Sequence, residues 1–213
     1  MPSTGRVSLS PATREGPRLP GPFTLSRSAP GGGRTSTPEP LLSSLRSLRA
    51  PEAPILTTDS LAKDFKRNSW IIEAQTRDLT HQDSLLQVPG VNCLNWVLGH
   101  IANSRDEVLS LLGESPALGE AAARYRRESD PVTADGLGVV PLEGLLAVVA
   151  EGQERIEAAL AVLPEESLQE LRQNGDRTLP LGTLLHFAMW HETYHVGQTE
   201  LLRALAGKRD KVI

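Results

Sequence analysis

The sequence predicts an all-α protein: an antiparallel four-helix bundle with a long crossover connection, preceded by a disordered N-terminal arm. Four segments after Pro54 carry apolar residues at helical spacing. No stretch alternates apolar and polar residues in the way a half-buried strand does. Ten of the sixteen prolines lie in residues 1–56, which separates that stretch from the rest. Four long amphipathic helices with unequal connections are typical of such a bundle.

The N-terminal arm, residues 1–56, differs from the remainder in charge as well. It carries seven arginines and three acids, a net +4, whereas residues 57–213 carry 15 basic and 23 acidic residues, a net −8. Proline lacks an amide donor and glycine loses much backbone entropy on ordering, so the arm is predicted to be disordered. It loosely resembles a transit peptide, but a passive tail fits its composition better. The domain is therefore placed at residues 57–213.

Capping residues and breakers set the predicted helix boundaries. Asp59 or Ser60 is the expected N-cap of the first helix and Asn92 that of the second, which Gly113 ends. Pro141 suits the first turn of the third helix, and Gly207 closes the fourth. The four predicted helices span residues 59–82, 92–112, 141–163 and 181–206. The connections are a short turn at 83–91, the long crossover at 113–140 with a short extra helix at 118–127, and a loop at 164–180.

Polar residues are predicted on the core-facing stripe of every helix. The stripe of the fourth helix follows a four-three spacing: Leu184, Ala188, His191, His195, Gln198, Leu202, Leu205. The second carries Cys93, Val97, His100, Ser104 and Glu107 or Val108, and the third Leu142, Leu146, Val149, Gln153, Ile156, Leu160, Leu163. Asn68 or Gln75 lies beside the stripe of the first. An unpaired buried polar group costs about 1–3 kcal/mol, so these residues are expected to satisfy one another or to bind a ligand.

Three histidines in this layer suggest a metal site. His191 and His195 are four residues apart, so a helix places one imidazole a turn above the other. His100 comes from the second helix. Three neutral imidazoles with one open coordination position are typical of a catalytic rather than a structural divalent-metal site. His81 and His186 are not expected to take part, since His81 lies near a helix end and His186 points about 140° away from His191.

The segment His191-Glu192-Thr193-Tyr194-His195 also satisfies the H-E-x-x-H pattern of zinc metalloproteases. In those enzymes the Glu is the general base, so Glu192 is a candidate for that role if the helix is rotated to bring it to the site. A strand-rich substrate-binding half and the further downstream ligand signatures are missing from the sequence. His100 offers the third ligand instead, and a protease is the weaker hypothesis.

Several neighbouring residues have provisional roles. Gln198, one turn beyond His195, is the candidate catalytic residue that hydrogen-bonds or orients whatever binds the metal, and Gln153 is a weaker supporting candidate. Trp96 and Trp190 each precede a histidine and are expected to wall the pocket. Cys93 lies about 10.5 Å from His100 along a helix, too far to share its metal, so it is interpreted as a small buried residue.

Composition excludes several classes of function. The acidity of residues 57–213 argues against non-specific nucleic-acid binding. No apolar run approaches the roughly 20 residues needed to span a bilayer. The single cysteine excludes disulfide frameworks and cysteine-based zinc sites. The N-terminus lacks the apolar core of a secretory signal, so a cytoplasmic protein is expected.

Two segments resemble the DinB/YfiT-like family of four-helix-bundle metalloenzymes. They are Asn95-Trp96-Val97-Leu98-Gly99-His100-Ile101-Ala102 and His191-Glu192-Thr193-Tyr194-His195-Val196-Gly197-Gln198. The resemblance covers roughly residues 58–213. It implies a divalent metal, zinc or nickel, held by His100, His191 and His195 with water at an open position, and a homodimer.

The resemblance further implies a small-molecule substrate. Some relatives are S-transferases of low-molecular-weight thiols such as bacillithiol or mycothiol, and metal-assisted hydrolysis is the other enzymatic interpretation. The alternative is a non-catalytic, metal-stabilised helical module for binding or stress response. The sequence leaves these alternatives open.

Overall fold

The computed structural model describes residues 56–212, so the predicted N-terminal arm lies outside the described residues apart from Leu56. The described chain is mainly helical, which confirms the predicted class. Within it, no helix combines the length and the apolar character needed to cross a bilayer. Its α-helices are α1 (Thr58–Thr76), α2 (His81–Ser84), α3 (Leu94–Leu111), α4 (Leu142–Val162) and α5 (Leu181–Leu205). Two 3₁₀ helices, Gly119–Tyr125 and Glu165–Gln169, lie in the connections.

The four long helices pack in the order α1, α4, α3, α5 and back to α1. Contacts between them show that α1 runs parallel to α5, that α3 runs parallel to α4, and that the two pairs are antiparallel. The parallel contacts are Asn68–Thr193, Gln75–Arg203, Asn95–Val140 and Arg105–Val149, and the antiparallel ones are His100–His195, Arg105–Glu192, Lys66–Glu157 and Ser69–Gln153. Because α3 and α4 are parallel, the chain between them has to return along their whole length, as a long crossover does.

The first predicted helix, residues 59–82, is wrong at both ends. Its N-cap is Thr57, which forms a capping box with Ser60, in place of Asp59 or Ser60. The helix stops at Thr76 because Asp78 takes a left-handed conformation with φ of 60°. A second capping box, between Thr80 and Asp83, then starts the separate helix α2.

The other predicted boundaries differ less. The N-cap of α3 is Cys93 rather than Asn92, and it has no side-chain capping bond. Pro141 is the N-cap of α4, immediately before the first turn where it was expected. Gly113 and Gly207 follow α3 and α5 with φ of 85° and 83°, the left-handed geometry that ends a helix. The short extra helix predicted at 118–127 is present as a 3₁₀ helix.

The expectation that the sequence forms no strand is wrong for the described residues. Strands β1 (Leu171–Asn174) and β2 (Arg177–Pro180) pair antiparallel in the connection before α5. Asn174 pairs with Arg177, so Gly175 and Asp176 form a two-residue turn in which Gly175 has φ of 59°. Gly-Asp is one of the two-residue loops that favour a hairpin, because glycine readily takes the positive φ that such turns need at this position. The strands are short and mostly exposed, so they lack the alternation that a half-buried strand shows.

Candidate functional site

The histidine cluster, His100, His191 and His195, is the one set of three potential metal ligands among residues 56–212. One ring nitrogen of each residue lies within 4.8 Å of those of the others. The closest pair joins His191 Nε2 and His195 Nε2 at 3.1 Å. His100 and His195 are buried, whereas His191 is partly exposed. The structure therefore brings together the three residues that the spacing selects.

Tyr125 fixes the orientation of His100. Its backbone oxygen lies 2.8 Å from His100 Nδ1. A carbonyl oxygen only accepts, so Nδ1–H donates and Nε2 of the neutral ring keeps a free lone pair. The Trp96 ring stacks on the His100 ring, with the two centroids 4.8 Å apart and an interplanar angle of 15°. Both contacts hold the ring with Nε2 available to a ligand.

Gly99 explains how Tyr125 reaches this position. The Tyr125 ring lies directly against Gly99, and a Cβ at residue 99 would overlap it. The phenol hydroxyl donates to Asn95 Oδ1 at 3.0 Å and accepts from the backbone N–H of Val140 at 2.8 Å. The buried Tyr125 side chain thereby ties the crossover to α3, beside His100.

Gln198 orients His195. His195 Nδ1 lies 2.9 Å from the Gln198 side-chain oxygen, so Nδ1–H donates and Nε2 is left without a proton. His191 Nε2–H then has to donate in the contact between the two Nε2 atoms. Gln198 therefore acts as a positioning residue for His195, which is the geometry that holds metal-binding imidazoles in known sites. This contact supports a role for Gln198 at the site and leaves its catalytic role a prediction.

Burial keeps two of the rings neutral. It lowers the pKa of His195 to about 4, an effect to which the neighbouring histidines add and which the Gln198 hydrogen bond opposes. Burial also lowers the pKa of His191, with smaller contributions from His100 and Arg127. Neutral imidazole is the form that binds a cation, so these ligands are available at neutral pH without losing a proton.

The cluster fits a divalent metal ion. Nitrogens bound to one zinc-type ion at about 2.0–2.1 Å in a tetrahedral site lie about 3.3 Å apart, close to the 3.1 Å between His191 and His195. Two Nε2 lone pairs face the cluster with no proton of their own, and the hydrogen bonds on the Nδ1 side match the outer shell of metal-binding histidines. His100, His191 and His195 would hold the ion, each through one ring nitrogen.

Separate cavities lined by residues of α3 and α5 adjoin the histidine cluster. A cavity of about 470 Å³ is lined by His100, His191, Ser104, Glu107, Arg127 and Phe187. A cavity of about 400 Å³ continues from it toward the β-hairpin. On the other side of the cluster, a cavity of about 550 Å³ is lined by Trp96, His195, Gln198 and mainly apolar residues. These volumes are in the range of small-molecule sites.

Glu192 does not belong to the site. Its side chain is 1% exposed and accepts two hydrogen bonds from the equally buried Arg105, at 2.7 and 2.9 Å. Arg105 also donates to Ser69 Oγ at 2.8 Å and to the backbone oxygen of Val149. The structure thus corrects the hypothesis that Glu192 is a general base in an H-E-x-x-H site, because a glutamate held in this way faces the core and not the cleft.

Gln153 belongs to the same buried group. Ser69 Oγ donates to Gln153 Oε1 at 3.2 Å, which extends the hydrogen bonds of Arg105 to α4. We call Arg105, Glu192, Ser69 and Gln153 the Arg105 network. The single polar layer expected from the sequence is therefore two separate groups, and Gln153 supports the Arg105 network rather than the histidines.

The stripe predicted for α5 is rotated from the true core face. Leu184, His195 and Leu202 are buried as expected, but His191 and Gln198 are only partly buried and Leu205 is exposed. The buried side of α5 instead centres on Leu181, Leu185, Glu192, Val196, Thr199 and Arg203. The stripes predicted for α3 and α4 agree with the observed burial, apart from Glu107, which is exposed, and Leu146 and Leu163, which are partly buried.

The remaining expectations have mixed outcomes. Trp96 lines the cavity at His195, as expected. Trp190 is 57% exposed and lines neither cavity at the cluster, and the aromatic residue beside His191 in the other cavity is Phe187. Cys93 is buried, with its thiol donating to the Val132 carbonyl at 3.2 Å, as its interpretation requires. His186 is exposed, and His81 accepts a hydrogen bond from the backbone N–H of Leu142.

Sequence reasoning missed three residues that shape this region: Tyr125, Arg127 and Arg105. Tyr125 and Arg127 lie in the crossover, where no periodicity places them beside His100 and His191. Gly99 is a usable signal, since a glycine inside a helix costs roughly 1 kcal/mol relative to alanine and usually has a packing reason. Arg105 carries no such signal, because a charged residue in an amphipathic helix is normally exposed.

Comparison with known proteins shows the family and the fold of the chain. A search of curated proteins gives no significant match. The fold is similar to the crystal structure of the conserved protein of a locus from Enterococcus faecalis, with a TM-score of 0.58 and 17% sequence identity over 73% of this chain and 99% of that one. The sequence matches the DinB superfamily over residues 39–199, which include all three histidines of the cluster. The chain therefore belongs to the DinB superfamily.

Proposed function

We propose that the protein is a divalent-metal-dependent enzyme acting on a small molecule, and that its four long helices form a four-helix bundle that carries the site. One observation carries the proposal. The Nδ1 atoms of His100 and His195 are hydrogen-bonded to Tyr125 and Gln198, and one ring nitrogen of each lies within 4.8 Å of His191, beside open cavities. A closed structural site would have no adjoining space for a substrate.

The residues of the chain divide the work of the site. His100, His191 and His195 hold the ion, and Tyr125 and Gln198 hold two of these rings in the tautomer that binds it. When bound, a divalent ion supplies an electrophilic centre that lowers the pKa of a thiol or of water. The walls of the cleft bind the reactants beside it and exclude bulk water.

Thiol transfer is favoured over hydrolysis. In a transfer, the thiol loses its proton to solvent, its sulfur bonds to an electrophilic carbon, and the leaving group departs with the electron pair of the broken bond. Hydrolysis gains from a general base beside the attacking water. Glu192 cannot serve as that base because it is bonded to Arg105 inside the core. Among the residues that line the cavity at His100 and His191, Glu107 is the remaining carboxylate.

The non-catalytic alternative, a metal-stabilised binding or stress-response module, predicts a saturated metal site. The cavities on both sides of the cluster favour the enzyme. Zinc or nickel as the ion, the cytoplasmic location and the homodimer remain predictions.

The test begins with the metal content of tag-free protein, measured by mass spectrometry. We expect about one divalent ion per chain, lost in His100→Ala and retained in the matched control His186→Ala, whose histidine is exposed on the same helix as His191. Metal-loaded protein is then assayed with thiols and 1-chloro-2,4-dinitrobenzene, and separately with nitrophenyl esters. Thiol-dependent conjugation that survives Glu107→Gln supports transfer, whereas ester cleavage lost in Glu107→Gln supports hydrolysis. No metal after reconstitution would contradict both.

A further inference from the structure

The two ends of the cleft differ in chemistry. The polar half lies toward the β-hairpin and holds the charged side chains Glu107 and Arg127. Its lining also includes the polar residues Ser104, Ser110, Gln173 and Asn174 and the apolar residues Val108, Leu111, Leu184, Phe187 and Ala188. The apolar half lies on the other side of the histidine cluster and is lined by Val88, Val91, Trp96, Leu201, Leu202 and Leu205. His191 borders the polar half and His195 borders the apolar half. A reactant entering from either end would therefore reach the cluster through surroundings of different polarity.

Arg127 is the cation of the polar half. It follows the 3₁₀ helix of the crossover and lines the same cavity as His100 and His191. Within residues 56–212 its one ion pair is with Glu128 at 3.9 Å, and both side chains are more than 80% exposed. An exposed ion pair of this kind contributes little stabilising energy. The Arg127 guanidinium is therefore free to bind a carboxylate or phosphate with two parallel hydrogen bonds.

The apolar half leaves large apolar side chains in contact with solvent. Val91, Leu201 and Leu205 are 56%, 68% and 55% exposed, and Tyr194 beside them is 59% exposed. The cavity of about 550 Å³ that they line is also lined by His195 and Gln198, and its volume suits a small molecule. Apolar side chains grouped around a cavity next to a reactive centre are typical of a ligand site.

We propose that the two reactants approach the histidine cluster from opposite ends: an acidic thiol held by Arg127 in the polar half, and an apolar electrophile seated among Val91, Leu201 and Leu205. The division of the cleft carries this assignment, and only the meeting of the reactants at the cluster rests on the proposed function. Two reactants held on either side of one centre gain the rate advantage of fixed proximity.

The apolar half is tested with n-alkanols on metal-free protein. Trp96 is the tryptophan that lines it, so Trp70→Phe and Trp190→Phe, both at exposed positions, leave a fluorophore inside the half. We expect hexanol to octanol to bind about threefold to fourfold more tightly for each added methylene. Leu201→Ser should weaken octanol binding severalfold, and the matched exposed control Leu171→Ser should not.

The polar half is tested with 3-mercaptopropionate against the uncharged 2-mercaptoethanol, by titration of metal-free and metal-loaded protein. We expect a preference for the acid, its loss in Arg127→Gln and its retention in Arg172→Gln, an exposed arginine outside this cavity. Octanol and 3-mercaptopropionate should bind together without competing.

Three results would overturn the assignment: an unchanged preference in Arg127→Gln, competition between the two probes, or alkanol affinity that does not depend on chain length. A fourth would be Leu201→Ser dissociating a dimer while octanol affinity stays the same, since a second copy of the chain would then cover the apolar half. Because the alkanol measurement needs no metal, failure of this assignment is distinguishable from failure of the metal site, which the metal content reports.

Discussion

The histidine cluster lies on α3 and α5, and the Arg105 network joins the same two helices to Ser69 of α1 and Gln153 of α4. The two polar groups differ in their surroundings, since the Arg105–Glu192 pair is enclosed in the core and the histidines border cavities. Glu192, adjacent in sequence to His191, is 1% exposed and receives two hydrogen bonds from Arg105. The Nδ1 atoms of His100 and His195 are bonded to Tyr125 and Gln198, and the Nε2 atom of His195 lies 3.1 Å from that of His191. The Arg105–Glu192 pair is satisfied within the core, whereas the histidine cluster brings three ring nitrogens within 4.8 Å of one another beside open cavities.

The difference teaches how a bundle-like core can contain a reactive site. Arg105 and Ser69, with Glu192, join three helices by charge-assisted hydrogen bonds, and this fixes the rotation of α5 about its axis. That rotation turns His191 and His195 toward the cleft. Glu192 thus faces the core while its neighbours His191 and His195 border the cavities.

The largest expected effect is on the Arg105 network. Arg105→Met leaves the Glu192 carboxylate buried without a partner, so the free energy of unfolding should fall by about 3–5 kcal/mol. The double variant Arg105→Met/Glu192→Leu should recover most of the loss, because a buried ion pair replaced by apolar residues is often nearly neutral. Urea denaturation measures both, with Arg172→Met, from an exposed pair, as the control. An Arg105→Met protein as stable as the wild type would show that the pair does not hold α5.

Gly99 lets Tyr125 of the crossover pack against α3 beside His100. Gly99→Ala places a methyl group against the Tyr125 ring, which we expect to cost about 1–3 kcal/mol of stability and to displace the oxygen that orients His100. Gly197→Ala is the matched control, because nothing lies within 4 Å of the added carbon, and alanine in a helix should raise stability by roughly 0.5–1 kcal/mol. Thermal unfolding and metal content are both measured. Equal behaviour of the two variants would contradict the packing argument.

Gln198 separates positioning from binding. Gln198→Leu removes the acceptor for His195 Nδ1–H, and we expect metal affinity to fall about 10–100-fold with little change in stability. Gln198→Glu keeps an acceptor and should retain most of the affinity. Competition with a chromophoric chelator gives the dissociation constants. If Gln198→Leu binds metal as tightly as the wild type, the Gln198 contact is incidental.

A further expected effect is a pH dependence of the stability of the metal-free protein. The folded-state pKa of His195 is about 4, below its ordinary value of 6.5. Between these pH values the unfolded chain binds a proton that the folded protein does not, so stability should fall as pH decreases from about 6.5 to about 4. Urea denaturation at several pH values in this range gives the free energy of unfolding. Its slope against pH should be smaller for His195→Gln than for the wild type or the exposed control His186→Gln. An unchanged slope would place the effect elsewhere.

Much of the site follows from the sequence, because a spacing of four and an apolar helix around His100 suffice to bring the three imidazoles together. The rotation of α5 does not follow, since this helix is apolar on two sides. Leu185 and Val196 are buried while Phe187 and Leu201 are exposed, so hydrophobic pattern alone selects no single core face. The hairpin was recognisable from the two-residue loop Gly175-Asp176. The partner of Glu192 was not, because it depends on how α3 and α5 meet.

The most direct test of the division between these two polar groups is a titration of metal-free protein with Zn²⁺ by calorimetry, comparing His195→Ala with Arg105→Met/Glu192→Leu. We predict one site per chain in the wild type and in the double variant, and none of comparable affinity in a folded His195→Ala. One tight site remaining in His195→Ala, or its loss from a folded double variant, would contradict the assignment of metal binding to the histidine cluster alone.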